Sequence, residues 1–327
     1  MDTDVVIVGA GPCGLAAAIA CTKAGLQAVV FDRSCVVSGI AGYPTYMTFF
    51  STADRLSIGG VPFVVPTEKP SRRDALAYYR ALVTHFGLQV RQYEPVARIE
   101  RERGGFVVHT APREGGSRRI TAHAVVIATG YFGKPNRLGV PGEELPHVTH
   151  RFAEGHEAFG RPAVVVGGGN SAVAAALDLH RAGADTTLVH FGPTFDRNIK
   201  PWVLPEIEAR IAEDAIHGRW NARVSRIEPD AVVVTTPAGE QRIRALHVYL
   251  MVGYMPETML LEQLGVPIDP ATGIPTHDPA TMETQVPGVF IAGVLASGND
   301  ANKTFIENGR GHGDLIARAL ARTIRSP

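Results

Sequence analysis

The chain has 327 residues, more than the ~100–200 typical of one domain, so two compact units are expected. It is 45% hydrophobic and 20% charged, which excludes wholesale disorder, and its 32 basic and 32 acidic residues balance. That balance offers no general attraction to nucleic acid or to an anionic membrane surface. No apolar run reaches the ~18 residues of a membrane span. The opening Met1-Asp2-Thr3-Asp4 is acidic and leads into a strand, unlike a secretory leader. Cys13, Cys21 and Cys35 are too sparse for a disulfide scaffold and suit a reducing compartment. A soluble, cytoplasmic protein with no nucleic-acid or membrane partner is expected.

The first element is a β-branched strand, Val5-Val6-Ile7-Val8, running into Gly9, Gly11 and Gly14 and then an alanine-rich helix. This is G-x-G-x-x-G in the strand-to-helix context the motif requires. One glycine makes the tight turn, one lets backbone approach a pyrophosphate, and one lets helix and strand pack closely. The pyrophosphate then meets free N–H groups at the positive end of the helix. Asp32 ends the next strand, where a carboxylate can accept hydrogen bonds from ribose hydroxyls.

The same unit recurs. Val5–Gly11 aligns without a gap on Ala163–Gly169, Ala16-Ala17-Ala18 on Ala174-Ala175-Ala176, and Asp32 on His190. The second turn, Gly167, Gly168, Gly169, opens a helix at Asn170, Ser171 and Ala172, with the permitted Ala in the third glycine's place. A carboxylate in the acid slot would repel the 2′-phosphate of NADP, whereas His190 does not. Arg197 and Lys200 follow closely and offer positive charge, although both also read as loop surface, so NADPH is expected in preference to NADH.

Each copy is followed by an apolar strand ending in a glycine turn: Ala124–Ala128 before Thr129-Gly130, and Val248–Val252 before Gly253. A last strand, Gly288–Gly293, precedes a final helix expected over Lys303–Thr323. The fold class is therefore α/β, with two Rossmann-like three-layer dinucleotide-binding domains, the second inserted in the first. Residues 1–155 and 251–327 are expected to form one domain and 156–250 the other, with hinges near 152–161 and Gly253.

Gly9-Ala10-Gly11-Pro12-Cys13-Gly14, Ala128-Thr129-Gly130, Gly167–Ala172 and Gly288–Gly293, in this order over essentially the whole chain, resemble the thioredoxin-reductase-like FAD/NAD(P)H flavoproteins. Within them the chain looks most like the bacillithiol disulfide reductase family. That likeness is carried by Gly42–Thr45 with Thr48-Phe49-Phe50, Lys200-Pro201-Trp202 and Gly298–Gly309. The resemblance implies FAD on the first unit, held by Gly9, Gly11, Pro12, Cys13, Gly14, Asp32 and Arg33. It also implies Tyr43, Thr48, Thr129, Gly130, Gly293, Val294, Lys303, Thr304 and Phe305 around the flavin. NADPH is implied on the second unit, at Gly167, Gly168, Gly169, Asn170, Ser171, Ala172, His190, Arg197 and Lys200. The Lys303-Thr304 end of the final helix is expected to aim its dipole at the flavin. A small-molecule thiol disulfide is the implied substrate, and a homodimer or higher homo-oligomer the implied assembly.

The departures are specific. Val140–Arg161 holds no cysteine where thioredoxin reductases carry C-x-x-C, and no two cysteines stand at a dithiol spacing anywhere. Val294 replaces the acid that most relatives place after Gly293. Cys13 is the candidate catalytic residue, a thiol at a helix N-terminus where the dipole lowers its pKa, although a small packing residue is all the turn demands. Cys21 reads as core filler. His147 and His150 read as surface residues, and no metal site is expected. Alternatives remain open: a ferredoxin- or flavodoxin-NADP reductase, a flavin monooxygenase, or a flavin-based redox sensor.

Overall fold

The computed structural model describes residues 1–300 and 303–324. Along the chain, β1 (Thr3–Val8), α1 (Pro12–Lys23) and β2 (Ala28–Phe31) are followed by α2 (Arg72–His85), β3 (Gln89–Arg91), β4 (Val96–Glu102), β5 (Gly105–Thr110) and β6 (Arg118–Ile127). Next come β7 (Val148–Thr149), β8 (Pro162–Val166), α3 (Asn170–Arg181), β9 (Asp185–Val189), α4 (Leu204–Ala212) and β10 (His217–Arg219). The run β11 (Arg223–Glu228), β12 (Ala231–Thr236), β13 (Gly239–Arg244) and β14 (His247–Leu250) leads to β15 (Val289–Ile291), α5 (Ile306–Gly309) and α6 (His312–Ile324).

Contacts divide the chain into two compact units: residues 1–41, 47–134 and 255–327, and residues 42–46 and 135–254. Residues 42–46 thus join the second unit rather than the first, the long crossing falls at Lys134/Pro135 rather than at 155/156, and the return at Tyr254/Met255 rather than at 250/251. The reason lies in the segment after Pro135. Its strand β7 pairs in parallel with β14, and Ile227 donates its N–H to Pro141 O.

The first unit is built on a seven-stranded sheet in the order β3-β2-β1-β6-β5-β4, with β15 also on β6. Strands β1, β2, β3, β6 and β15 are parallel, while β4-β5-β6 is an antiparallel meander. Val5, Val6 and Ile7 are wholly buried, as the continuous apolar run of a parallel strand covered on both faces requires. Helix α1 is buried from Gly14 to Cys21 and needs no polar face, because α6 packs over it. The two helices approach closely through small residues, since a Cβ on Gly313 would lie 2.8 Å from Ala16 backbone. Cys21, fully buried in α1, is core filler as expected.

The second unit has a five-stranded parallel sheet, β10-β9-β8-β14-β7, and a three-stranded antiparallel sheet, β11-β12-β13. Its helix α3 packs Val173, Ala176 and Leu179 with Val165 and Leu188.

The expected final helix over Lys303–Thr323 is two helices. The first begins at Ile306, and Arg310-Gly311 separates it from α6. Ala301 and Asn302, part of the stretch that carries the family likeness, lie outside the described residues. Among the described residues no helix is long and apolar enough to cross a membrane.

Gly14 tests the packing of α1. A Cβ there would sit 1.9 Å from Gly9 O, a clash with backbone that no rotamer relieves. Gly14→Ala is expected to lower the unfolding free energy by about 2–3 kcal/mol, read as a drop in denaturation midpoint.

Candidate functional site

Each glycine turn stands at the carboxyl end of the central strand of its unit's parallel sheet, and the two are built alike. Gly9 N–H donates to Phe31 O at 2.7 Å, and Gly167 N–H to Val189 O at 2.9 Å. A Cβ on Gly9 would lie 2.3 Å from Ala128 O, and one on Gly167 2.3 Å from Met251 O. Both residues have positive φ, 113° and 141°, so glycine is required twice over.

The next glycine differs in kind. Around Gly11 a Cβ would meet nothing within 4 Å, and no side chain caps the helix at this residue. With Pro12 in the first turn, α1 starts beside open space with no side chain capping its first N–H groups, the environment a pyrophosphate fills. The residues present therefore fit a dinucleotide. Gly169, which starts α3 without a side-chain cap, is likewise open except for Asp196 Oδ2, 3.3 Å from its would-be Cβ.

The acid slots diverge. Asp32 Oδ2 accepts the Ala10 N–H and Oδ1 the Ser34 N–H, each at 2.8 Å. It therefore ties the glycine turn to the end of β2, a role beyond the expected ribose contact. Arg33 lies over the turn after β6. Its Nη2 is 2.0 Å from where a Cβ of Gly133 would stand, and its Nη1 is 3.8 Å from Glu257 Oε2. Thr129 Oγ1 donates to Glu257 O, and Gly130 is open, with φ 77°.

His190 fills the equivalent slot as a buried ring against Gly168, whose Cβ would lie 2.3 Å from it. Burial pushes this histidine below its ordinary value, despite Asp196 Oδ1 at 3.7 Å from Nε2. It is a neutral filler of the slot. Asn170 joins the start of α3 to the following loop, donating to Asn198 O and accepting the Lys200 N–H. Ser171 and Arg197 are exposed, Lys200 is half-buried, and Ala172 is buried in the helix–sheet contact.

Cys13 departs from expectation. Its thiol is wedged between two backbones. A Cβ on Gly293 would lie 3.1 Å from Sγ, and one on Gly309 3.0 Å. Burial, with the charge of Glu307 adding to it, pushes the thiol up to about 12. The expected lowering by the helix dipole is thus overridden, because Sγ is packed against the Gly293 and Gly309 backbone although Cys13 as a residue is half-buried. Glu307 is itself held by the Ser51 hydroxyl.

The other predicted residues scatter. Tyr43 is half-buried in the 42–46 segment, and Thr48 is exposed and bridges Ser71 in extended backbone. Lys303 Nζ faces Asp300 at 3.7 Å, Thr304 bonds Ser297 through its hydroxyl, and Phe305 is exposed. The expected dipole at Lys303-Thr304 is absent, because helix α5 starts at Ile306 and is only four residues long. Val294 is half-buried in the turn after β15.

His147 and His150 are half-buried rather than exposed. His150 is largely buried, 3.3 Å from Glu143 Oε1, while Glu143 accepts the Leu138 and Gly139 N–H groups. Among the described residues no group of three His, Cys, Asp or Glu could hold a metal. Reasoning from sequence missed Asp196, Glu257 and His312, which accepts the Gly293 N–H through Nδ1 at 3.2 Å. A lone histidine between glycines gives no periodic or spacing signal.

Two parallel sheets, each with an open glycine turn at a helix start, define a dinucleotide-using α/β oxidoreductase of the thioredoxin-reductase type. The family model described as pyridine nucleotide-disulphide oxidoreductase matches residues 6–293, and the chain belongs to that family. It is a flavoprotein oxidoreductase that uses FAD and a nicotinamide dinucleotide. The chain is 43% identical over 321 residues to the bacilliredoxin reductase Bdr of Bacillus subtilis (strain 168), covering 97% of each. The bacillithiol disulfide reductase Bdr (YpdA) from Bacillus cereus matches with a TM-score of 0.97 and 42% identity, over 99% of this chain and 100% of that one. The Staphylococcus aureus protein of that name matches with a TM-score of 0.93 and 38% identity, over 98% of each.

Gly11 separates cofactor binding from folding. Gly11→Ala has room and an allowed φ of −72°, so stability is expected to change by no more than about 0.5–1 kcal/mol. FAD retention, measured by equilibrium dialysis of the flavin, is expected to fall.

Proposed function

We propose that the protein passes two electrons from NADPH through FAD to a low-molecular-weight thiol disulfide, bacillithiol disulfide being the substrate that the relatives' names suggest. The balanced reaction is NADPH + H⁺ + RSSR → NADP⁺ + 2 RSH. The observation that carries it is the pair of open glycine turns combined with the lack of any dithiol spacing among the three cysteines. Electrons therefore leave without a protein disulfide shuttle. When bound, FAD supplies the two-electron relay between nicotinamide and disulfide.

The first unit, residues 1–41, 47–134 and 255–327, is assigned to FAD. The turn at Gly9–Gly14 takes the pyrophosphate, with Asp32 and Arg33 at the ribose end. Thr48 and residues 129–130, 293–294 and 303–305 of the first unit lie toward the flavin in this assignment. The second unit is assigned to NADPH through Gly167–Ala172. NADPH is favoured because the acid slot holds a neutral His190, which does not repel a 2′-phosphate, while exposed Arg197 and the neighbouring Lys200 bring positive charge.

Cys13 is assigned the covalent step. Its thiolate attacks RSSR, forming Cys13–S–S–R and releasing RS⁻. The electron pair from NADPH then cleaves that bond, returning the thiolate and RSH. A thiol near 12 is almost wholly protonated at neutral pH, so this half-reaction is expected to quicken with pH, by up to tenfold per unit, with no plateau below about pH 11. A small disulfide suits an enclosed thiol better than a folded protein disulfide does.

Stopped-flow spectroscopy separates the half-reactions. Cys13→Ala is expected to keep FAD and its bleaching by NADPH, and to lose reoxidation by bacillithiol disulfide. Reoxidation as fast as in the wild type would reduce Cys13 to a packing residue. Reoxidation of both proteins by ferredoxin and by no disulfide would make the chain a ferredoxin reductase. For the reductant, replacing Arg197 and Lys200 together by Ala is expected to raise the NADPH KM by about tenfold, roughly 1.4 kcal/mol, and to leave the NADH KM unchanged. Equal losses with both nucleotides would assign the two residues to the fold.

A further inference from the structure

The turn after β15 is held in an unusual way. Gly293 is buried, has φ 75°, and sits against Cys13 so closely that a Cβ would lie 3.0 Å from Cys13 Cβ. The N–H before it, that of Ala292, goes to Ile127 O in the sheet. The Gly293 N–H goes instead to a side chain, Nδ1 of His312 at 3.2 Å. His312 opens α6, and its neighbour Gly313 is pressed onto Ala16 of α1, which fixes the ring's origin. Val294, next in the turn, has no polar atom in its side chain, so whatever this turn gives a ligand it gives through backbone.

We infer that His312 is the residue that positions the Gly293–Val294 backbone for the flavin dinucleotide, and that it does so only as a neutral imidazole. This rests on the assignment of FAD to the first unit. Nδ1 accepts, so Nε2 carries the proton. A second proton on Nδ1 would set two donors against each other and release the turn.

The surroundings hold the ring neutral. Burial is the largest influence and lowers its affinity for a proton, and His277 acts in the same direction. The start of α6 is a positive helix end, which also opposes a cation. The titratable and charged groups on the elements around it are Cys13, Cys21 and Lys23 on α1, Glu307 on α5, Arg310 between α5 and α6, Asp314, Arg318 and Arg322 on α6, and His277, while residues 293–297 carry none. A histidine held below its ordinary 6.5 in the folded state supplies stability that is present at neutral pH and lost as pH falls below about 6.5.

The test uses the holoprotein, with His312→Asn and His312→Leu. Asparagine keeps an acceptor where Nδ1 stands and does not titrate; leucine keeps the bulk and removes the acceptor. FAD release is followed by flavin fluorescence from about pH 7.5 to about pH 5.5, and unfolding of the apoproteins is followed over the same range. The wild type is expected to lose FAD affinity by roughly three- to tenfold more than His312→Asn across that range. The Asn variant is expected to match it at pH 7.5, and the Leu variant to retain FAD weakly at every pH. The apoprotein melting curves of wild type and Asn variant are expected to diverge only on the acid side. FAD retention by the Leu variant equal to the wild type, or an acid loss in the Asn variant equal to the wild type's, would overturn the inference. A wild-type protein that binds no FAD at all would overturn instead the assignment on which it rests. The melting curves still report on the His312 bond in that case, and identical curves for wild type and Asn variant would sink it independently.

Discussion

At Gly9 two stretches of backbone come closer than any side chain allows. The carbonyl of Ala128 occupies the place of a Gly9 Cβ, and the carbonyl of Gly9 occupies that of a Gly14 Cβ. These contacts set how near α1 lies to β1 and β6, and so where its first N–H groups point. Met251 does at Gly167 what Ala128 does at Gly9, so the second unit inherits the same constraint. Ligand contact comes afterwards: strand and helix must first meet backbone to backbone before the next glycine faces open space.

Equal sequence patterns nevertheless have unequal causes. Gly11 is open, and its lack of a side chain serves whatever sits in the space beside it. Gly168, in the second turn, makes room for a histidine ring of the protein itself. An imidazole held neutral by burial removes charge from a position where the first unit keeps a carboxylate bonded to two N–H groups. The difference between the two nucleotide sites is thus as much a matter of packing as of charge.

The repeat, the strands and their glycine turns were legible because β-branched runs and glycines act locally, within a few residues. The places of Asp32 and His190 after their strands, and the alanine-rich helix α1, followed from the same short-range logic. Features made by distant residues were not legible. The state of the Cys13 thiol depends on Gly293, Gly309 and Glu307, far along the chain. The long crossing between units at Lys134/Pro135 depends on β7, a two-residue strand recognisable only by its partner β14. The break at Arg310-Gly311 interrupts an otherwise helical pattern, and His312 acquires its meaning only from an N–H nineteen positions away in sequence.

The order of elements also has a consequence for how the chain matures on the ribosome. The inserted unit holds both its sheets, from β7 to β14, within residues 135–254, so they can be completed before the residues from 255 onward are made. The unit that begins the chain cannot be finished so early. Strand β15 must add to β6, and α6 must cover α1, before the apolar faces of the first-made helix and sheet are shielded. The β1-α1-β2 unit therefore waits, with its apolar stretch Gly14–Cys21 uncovered, for β15 and α6 of the same chain. Loss of α6 would accordingly expose α1, far away in the sequence, leaving a nascent species drawn to chaperones and to its own copies.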